Sequence, residues 1–358
     1  MNNNSFIIDS VRTPIGNLGG SLSSIRSDDL AAHTISSLID RHDFDPSKIN
    51  DVILGCTNQA GEDNRNIARM ALLLAGLPLT VPGETINRLC ASGMSSVIHA
   101  HRAIQSGDGE LFIVGGIESM TRSPWVISKV SSAFGRDAQM VDSSFGWRFI
   151  NPKMRDLYGI EAMGKTAENL AEKYNINRLD QDIFAYNSQR KASLAQKNNI
   201  FQKEIVPINI VQKKKSSIIF NSDEFLKPST TIEALSKLKP IFKKDGTVTA
   251  GSSSGLNDGA ASMLIASELA IKDHSLIPIA QVRSSAVVGV EPRLMGIGPV
   301  MAANKALEKA GICMDDVDVI ELNEAFSSQV LACIREWGLA DDDERVNPNG
   351  GAIALGHP

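Results

Sequence analysis

The segment NRLCASGMSS, residues 87–96, sets one thiol at the head of a run of very small side chains. A strand over ETIN (84–87) ends just before Cys90 and a helix begins just after it, which puts the sulfur at the positive end of a helix dipole. That position can lower a thiol pKa from ~8.5 toward neutrality. Ala91, Ser92, Gly93, Ser95 and Ser96 are small, and no charge falls between Arg88 and Arg102, so the helix is expected to be buried and closely approached by backbone. Two readings of Cys90 stay open: a nucleophile on a rigid element, or one more buried small residue. Cys313 and Cys333 are expected in the core, in or beside helices, and Cys56 follows a strand. No C-x-x-C pair or histidine at metal spacing accompanies the four cysteines, a pattern of reduced thiols in a cytosolic compartment.

A thiol nucleophile needs a base from elsewhere in the chain. Of six histidines, His33 and His42 belong to an amphipathic helix and its exit, and His274 to a polar loop. His99 and His101 lie about 13 to 16 Å along the Cys90 helix at 1.5 Å per residue, out of reach of the sulfur. His357, on the glycine-rich turn NPNGGAIALGHP (347–358), remains as the candidate base, with a purely structural histidine as the alternative. In NEAF (323–326), Asn323 fits a helix N-cap and Glu324 the acid of a first turn; the Glu324 side chain could equally hold a water toward the centre.

These residues need a scaffold, and composition allows one. The chain has 358 residues, a formal net charge of −5, 42% hydrophobic and 22% charged residues, the balance of a soluble globular protein. The absence of an extended basic patch argues against a nucleic-acid surface. The Lys213–Lys215 run reads as a solvated loop. With no basic leader before a long apolar core, and no window near ~18 apolar residues, neither export nor a membrane span is expected and the location is expected to be cytoplasmic.

Strands over FIID (6–9), DVIL (51–54), ETIN (84–87) and ELFIVGG (110–116) alternate with helices over 27–42 (capped by Ser27), 64–76 and the segment after Cys90, the mark of an α/β fold with a mainly parallel sheet. AASMLIAS (260–267) reads as a strand returning to that sheet. The rhythm restarts after 275: strand PIAQVRSSAVV, helix GPVMAANKALEKAG, strand DVDVIEL, helix NEAFSSQVLACIREWG, strand RVNP. Residues 1–116 with 256–274 thus form one half, 275–358 a second half of the same βαβαβ pattern, and 117–255 an inserted loop domain. Aligning the rhythms sets NPNGGAIALGHP opposite NRLCAS, so pseudo-symmetry would bring the turns of His357 and Cys90 face to face. On the same alignment the second half is expected to lack its third helix and the strands after it.

NRLCASGMSS, GGIESMTRSP, GTVTAGSSSGLNDGAA, ELNEAF and NPNGGAIALGHP together resemble the thiolase family, acyl-CoA C-acyltransferases built from two similar halves around central helices. The likeness runs along essentially the whole chain. QAGEDNRNIARMALLLAG and FGWRFINP look most like the 3-oxoadipyl-CoA thiolases of aromatic-compound degradation. The resemblance implies that Cys90 accepts the acyl group, that His357 activates it, and that Asn323 holds a water completing an oxyanion hole. It further implies pantetheine contacts at Ser254, Ala250 and Met163, an adenine contact at Phe242, and a wall of the acyl pocket at Phe326. Lys227 stands where many relatives carry an arginine stacked on the adenine, and Ala162 where several carry a histidine. Family members also continue past the G-H-P turn to a C-x-G segment whose cysteine handles the α-proton, so activity of this chain is in question on that resemblance.

The resemblance implies thiolytic cleavage of 3-oxoadipyl-CoA to succinyl-CoA and acetyl-CoA, with coenzyme A as cosubstrate, no permanently bound cofactor and no metal. It implies a homodimer or homotetramer. Arg148 in GWRF is the candidate partner of the distal carboxylate, since an acidic tail in a closed pocket needs a cation; a surface arginine is the alternative. Two further readings are an acetyl-CoA acetyltransferase acting on acetoacetyl-CoA and an impaired, CoA-thioester-binding remnant.

Overall fold

The computed structural model describes residues 3–211 and 216–358; the Lys213–Lys215 run expected as a solvated loop lies outside the described residues. The first half supplies β1 (Ser5–Arg12), β2 (Gly16–Asn17), α1 (Ser27–Ile39), β3 (Asp51–Gly55), α2 (Ile67–Leu74), β4 (Gly83–Ile86), α3 (Ser92–Ser106) and β5 (Leu111–Ser119). Small hairpin strands β6 (Trp125–Ile127) and β7 (Met140–Asp142) follow, then α4 (Pro152–Tyr158), α5 (Met163–Lys173) and α6 (Arg178–Lys197). A second hairpin, β8 (Ile208–Ile210) with β9 (Ile218–Phe220), and α7 (Ile232–Ser236) lead to β10 (Asn257–Ser267). The remainder is α8 (Glu268–Asp273), β11 (Ala280–Val282), α9 (Gly298–Ala310), α10 (Ser327–Glu336) and α11 (Ala352–Leu355).

One sheet dominates, in the order β11-β1-β10-β5-β3-β4, with β2 paired to β10. It is mixed, which corrects the expectation of a mainly parallel sheet. Only β3 with β4 and β3 with β5 are parallel, where α2 and α3 supply the crossovers. β10 comes back from the long insertion without a crossover and runs antiparallel to both β1 and β5.

Alternate side chains cover the two faces. Val52 and Leu54 join Leu111 and Ile113 beneath α1 and α2, whose Leu30, Ile35, Leu38, Ile67 and Leu72 are wholly buried. Ile53, Phe112, Val114 and Ile265 face the other way, against Ala100 and Ile104 of α3. Each such aliphatic side chain contributes about 1.5–3 kcal/mol on leaving water. A third cluster joins α5, α6 and α10 through Leu170, Phe184, Val330, Leu331 and Ile334, and takes in Val346 and Ile353 from the chain's last segment. No helix among the described residues is long and apolar enough to cross a membrane.

Several local expectations change. α1 begins at Ser27 but its N-cap is Arg26, without a side-chain cap; Asp28 in the first turn instead accepts from the Asp29 N–H at 3.1 Å and from Arg26 Nε at 2.9 Å. α2 is shorter than 64–76, starting after Asn66, whose side chain accepts from the Arg69 N–H. In the second half, the strand expected from residue 278 shrinks to β11 and joins the first sheet, pairing Ser5 with Val282. The DVDVIEL and RVNP segments form no strands but a single Ile320–Val346 bridge, reinforced by the Asn347 side chain on both backbone groups of Leu322, and two segments without a third partner are marginal as a sheet. Cys313 is exposed rather than in the core, its thiol donating to Asp316. Cys56 and Cys333 are buried.

Candidate active site

Cys90 stands on the turn between β4 and α3. Leu89, just before it, has a positive φ of 50°. The Asn87 side chain accepts the Leu89 N–H at 2.9 Å, and Ser92 Oγ accepts the Arg88 N–H at 2.8 Å while donating to the Leu89 carbonyl at 2.6 Å. α3 can start so close to β3 because residue 55 is glycine: a Cβ there would lie 2.5 Å from the Ser92 carbonyl carbon. The helix is buried on one face only; Met94, Leu89 and Cys90 itself are exposed.

The thiol is not lowered, contrary to the expectation from the helix dipole. Cys90 is exposed, yet desolvation by the surrounding protein still pushes its pKa up; its own backbone N–H opposes this and the Glu118 carboxylate adds to it. A thiol held protonated at neutral pH depends on a base.

His357 is half-buried, and burial lowers its pKa, so the ring is neutral at pH 7. Its backbone N–H donates to Asn257 Oδ1 at 3.0 Å, and it bridges to Leu256 at the entry to β10. Gly356, with φ of 101°, takes a conformation open to glycine, and a Cβ there would fall 2.4 Å from the Asn257 amide carbon. Asn323 Nδ2 stands 3.4 Å from His357 Nε2, a long contact between an exposed amide and the half-buried ring. Asn323 is not an N-cap: α10 begins only at Ser327, with Phe326 before it. Glu324 is not a first-turn acid either. It is buried, accepting from Ser188 Oγ at 2.6 Å, Asn347 Nδ2 at 2.8 Å and the Ile353 N–H at 3.1 Å, which ties the NEAF loop to the turn that carries His357.

Cys90 and His357 sit at one end of the sheet. β10 starts at Asn257 and pairs Gly259 with Glu118 near the end of β5. Glu118, buried at the same edge, accepts the N–H groups of Thr57 at 2.8 Å and Asn58 at 3.2 Å, just past β3. Asn87, just past β4, donates to the Thr57 carbonyl at 3.2 Å. This is the carboxyl end of β3, β4 and β5, where open α/β sheets place their ligands. The other five histidines are engaged elsewhere: His101 with Ser5 at 2.7 Å, His33 with the Pro207 carbonyl, His42 beside Asp9, His99 beside Glu84 and His274 against the Phe44 ring at 5.9 Å.

The remaining candidates form the surroundings. Ser254 donates its N–H (3.0 Å) and its hydroxyl (3.2 Å) to the Ala325 carbonyl, so the 250–257 strip lies along the NEAF loop. Ala250 and Lys227 line one small recess together with Phe225, and the Lys227 ammonium stands 4.8 Å from the Phe225 ring centre. Phe242 and Phe326 meet edge to face at 5.8 Å. Met163 is half-exposed at the first turn of α5, with Ala162 as its N-cap. Arg148 lies on the segment after Ser143, whose carbonyl accepts from Asn58 Nδ2 at 3.1 Å, and makes no ion pair among the described residues. Asn87, Glu118 and Asn257 went unnoticed in the sequence, although each lies in or beside a motif read there; a backbone-binding amide leaves no spacing signature.

Residues 5–269 match the thiolase N-terminal domain, and the second half, expected to be incomplete, matches the thiolase C-terminal domain over 276–358. Beta-ketoadipyl-CoA thiolases of Pseudomonas knackmussii and Pseudomonas aeruginosa are each 56% identical across 99% of this chain and 88% of their own length. The 3-oxoadipyl-CoA/3-oxo-5,6-dehydrosuberyl-CoA thiolase of Escherichia coli is 54% identical over the same shares. Among solved structures, the Bacillus anthracis acetyl-CoA acetyltransferase superposes with a TM-score of 0.91 at 39% identity, covering 99% of this chain and 88% of that one. Human mitochondrial 3-ketoacyl-CoA thiolase in complex with CoA gives 0.90 at 38% identity, covering 99% and 87%. On sequence and fold together, the chain belongs to the thiolase family.

Proposed function

We propose that this thiolase cleaves 3-oxoadipyl-CoA with coenzyme A to succinyl-CoA and acetyl-CoA. The observation that carries this is the 52–56% identity, over 99% of the chain, to relatives named beta-ketoadipyl-CoA thiolase. The site's chemistry fits it. Neutral His357 takes the Cys90 proton, the sulfur attacks the 3-keto carbon, the C2–C3 bond breaks, and the enolate leaves as acetyl-CoA by taking that proton from the His357 imidazolium, which is neutral again for the second half-reaction. The thiol of free CoA then attacks the succinyl thioester and releases Cys90. Asn323, beside His357, orients a donor toward the oxyanion of the tetrahedral state. Ser254, Ala250, Met163, Phe242 and Lys227, from the 117–255 insertion, line the path of the CoA arm, and Phe326 closes the acyl end. CoA enters as cosubstrate.

Arg148 is the residue assigned to the distal carboxylate. The test compares kcat/KM for 3-oxoadipyl-CoA and acetoacetyl-CoA in the unaltered chain and in Arg148→Ala. Preference for the six-carbon diacid substrate, with a loss confined to it in the variant, is expected. Acetoacetyl-CoA preferred, or equal losses on both substrates, refutes the assignment. Self-association belongs to the same reading as a homodimer or homotetramer. β4 ends the sheet with an open edge, and exposed Leu89 and Met94 follow it. Light scattering on the purified chain decides whether it is monomeric.

A further inference from the structure

Leu89 holds a left-handed backbone, which a branched L-residue adopts only when its surroundings impose it. The residue is exposed, so packing does not impose it. What does is a chain of hydrogen bonds. Asn87 Oδ1 receives the Leu89 N–H at 2.9 Å while Asn87 Nδ2 donates to the Thr57 carbonyl at 3.2 Å. Thr57, in turn, is fixed by Glu118, which accepts its N–H at 2.8 Å and its hydroxyl, and the neighbouring Asn58 N–H at 3.2 Å. Glu118 is buried and its carboxylate faces no cation among the described residues. Both ends of the Asn87 amide are therefore used, one on the anchored loop after β3 and one on the residue directly before the nucleophile.

We propose that Asn87, anchored through Thr57 on Glu118, is a positioning residue that holds Leu89 in its left-handed turn and so aims the Cys90 sulfur at His357. The proposal rests on Cys90 being the acyl acceptor for its role in turnover, but the placement of the thiol can be read without turnover. Asn87 touches neither the sulfur nor the imidazole. Its effect passes through one backbone torsion. A glycine at 89 adopts that torsion unaided, so it should do without Asn87.

The experiment uses the full chain and the variants Asn87→Ala, Asn87→Asp, Leu89→Gly and Asn87→Ala/Leu89→Gly, each checked for an unchanged thermal midpoint. Two readouts are taken: acetylation of Cys90 by acetyl-CoA, followed by mass spectrometry, and alkylation of Cys90 by iodoacetamide as a function of pH. In the unaltered chain, alkylation around neutrality, above the lowered His357 pKa and below the raised thiol pKa, should show a shoulder that His357→Ala removes, the sign of a thiol handing its proton to the imidazole. Asn87→Ala should lose the shoulder and slow acetylation by about 10²-fold, the scale of a misplaced reacting group. Asn87→Asp keeps the acceptor for Leu89 N–H and should lose less, and the double variant should recover most of the rate. Asn87→Ala behaving like the unaltered chain, or a folded Asn87→Ala that glycine at 89 does not rescue, overturns the proposal. No acetyl transfer in the unaltered chain, with the shoulder present and lost in Asn87→Ala, counts against the acyl-transfer reading while supporting the positioning role.

Discussion

Asn257 and His357 are joined by a single hydrogen bond, the His357 N–H to Asn257 Oδ1 at 3.0 Å, while Asn257 Nδ2 donates to the Gly16 carbonyl at 2.9 Å. Asn257 has no exposed surface, and its bond to Gly16 is wholly buried. One amide thus fastens the end of the second half to the sheet of the first, and with it the height of the imidazole above β10. Replacing Asn257 by alanine leaves two buried backbone groups unpaired, a loss of about 1–3 kcal/mol for each orphaned group. The expected result is a lower urea midpoint with unchanged slope, together with a fall in kcat larger than any change in KM. A variant matching the unaltered chain in both would show that the turn is held by other contacts.

The sequence singles out Cys90 and His357 as candidates because cysteine and histidine are scarce in this chain and each stands in a short small-residue or glycine-rich setting, whereas Asn323 is singled out only by the ELNEAF motif. Their partners were not legible. Asn257 and Asn87 act through backbone carbonyls and amides, which any residue supplies. Glu324 looked like a helix-start acid because acids are common there, yet α10 begins three residues later and the carboxylate is buried against α6 and the His357 turn. The direction of the thiol shift is not legible either: a dipole can be inferred from a strand-to-helix turn, whereas the desolvation that outweighs it, and the Glu118 charge that adds to it, come from residues brought together only by the fold. Strand positions in the first half were legible by alternation, but not that β10 would turn antiparallel, since direction follows from how the insertion returns and not from local pattern.

The two perturbed groups set a pH profile. Burial lowers the His357 pKa, so the neutral base persists below the ordinary imidazole value of about 6.5. Burial raises the Cys90 thiol, so no thiolate forms unaided near neutrality. The acid limb of kcat/KM should therefore fall below about pH 6.5, and acylation should not need pH above the free-thiol value of about 8.5. In His357→Ala the residual alkylation of Cys90 should climb only in the alkaline range, past that free-thiol value. An acid limb lying above the ordinary imidazole pKa, or a variant that alkylates as readily as the unaltered chain at pH 7, would contradict the assignment of His357 as the base.

Glu324 gives a stability test independent of turnover. Its desolvation raises the carboxyl pKa above the ordinary value of 4.5, while the bonds from Ser188, Asn347 and Ile353 oppose that rise. The folded state thus holds a proton that the unfolded chain has already released. Stability from this group is full below about pH 4.5 and declines as pH rises through the folded value, then levels off. Glu324→Gln removes that slope but turns an NH2 toward groups that donate, so it should be less stable than the unaltered chain across the range, by at least about 1 kcal/mol. The gap between the two should be widest in acid and narrow toward neutrality. Urea midpoints measured for both at several pH values check this, and a gap that instead widens with rising pH would mean the carboxylate is stabilised as the anion. In that case the three donors around Glu324 outweigh its burial, and the NEAF loop is tied to the His357 turn by a charge.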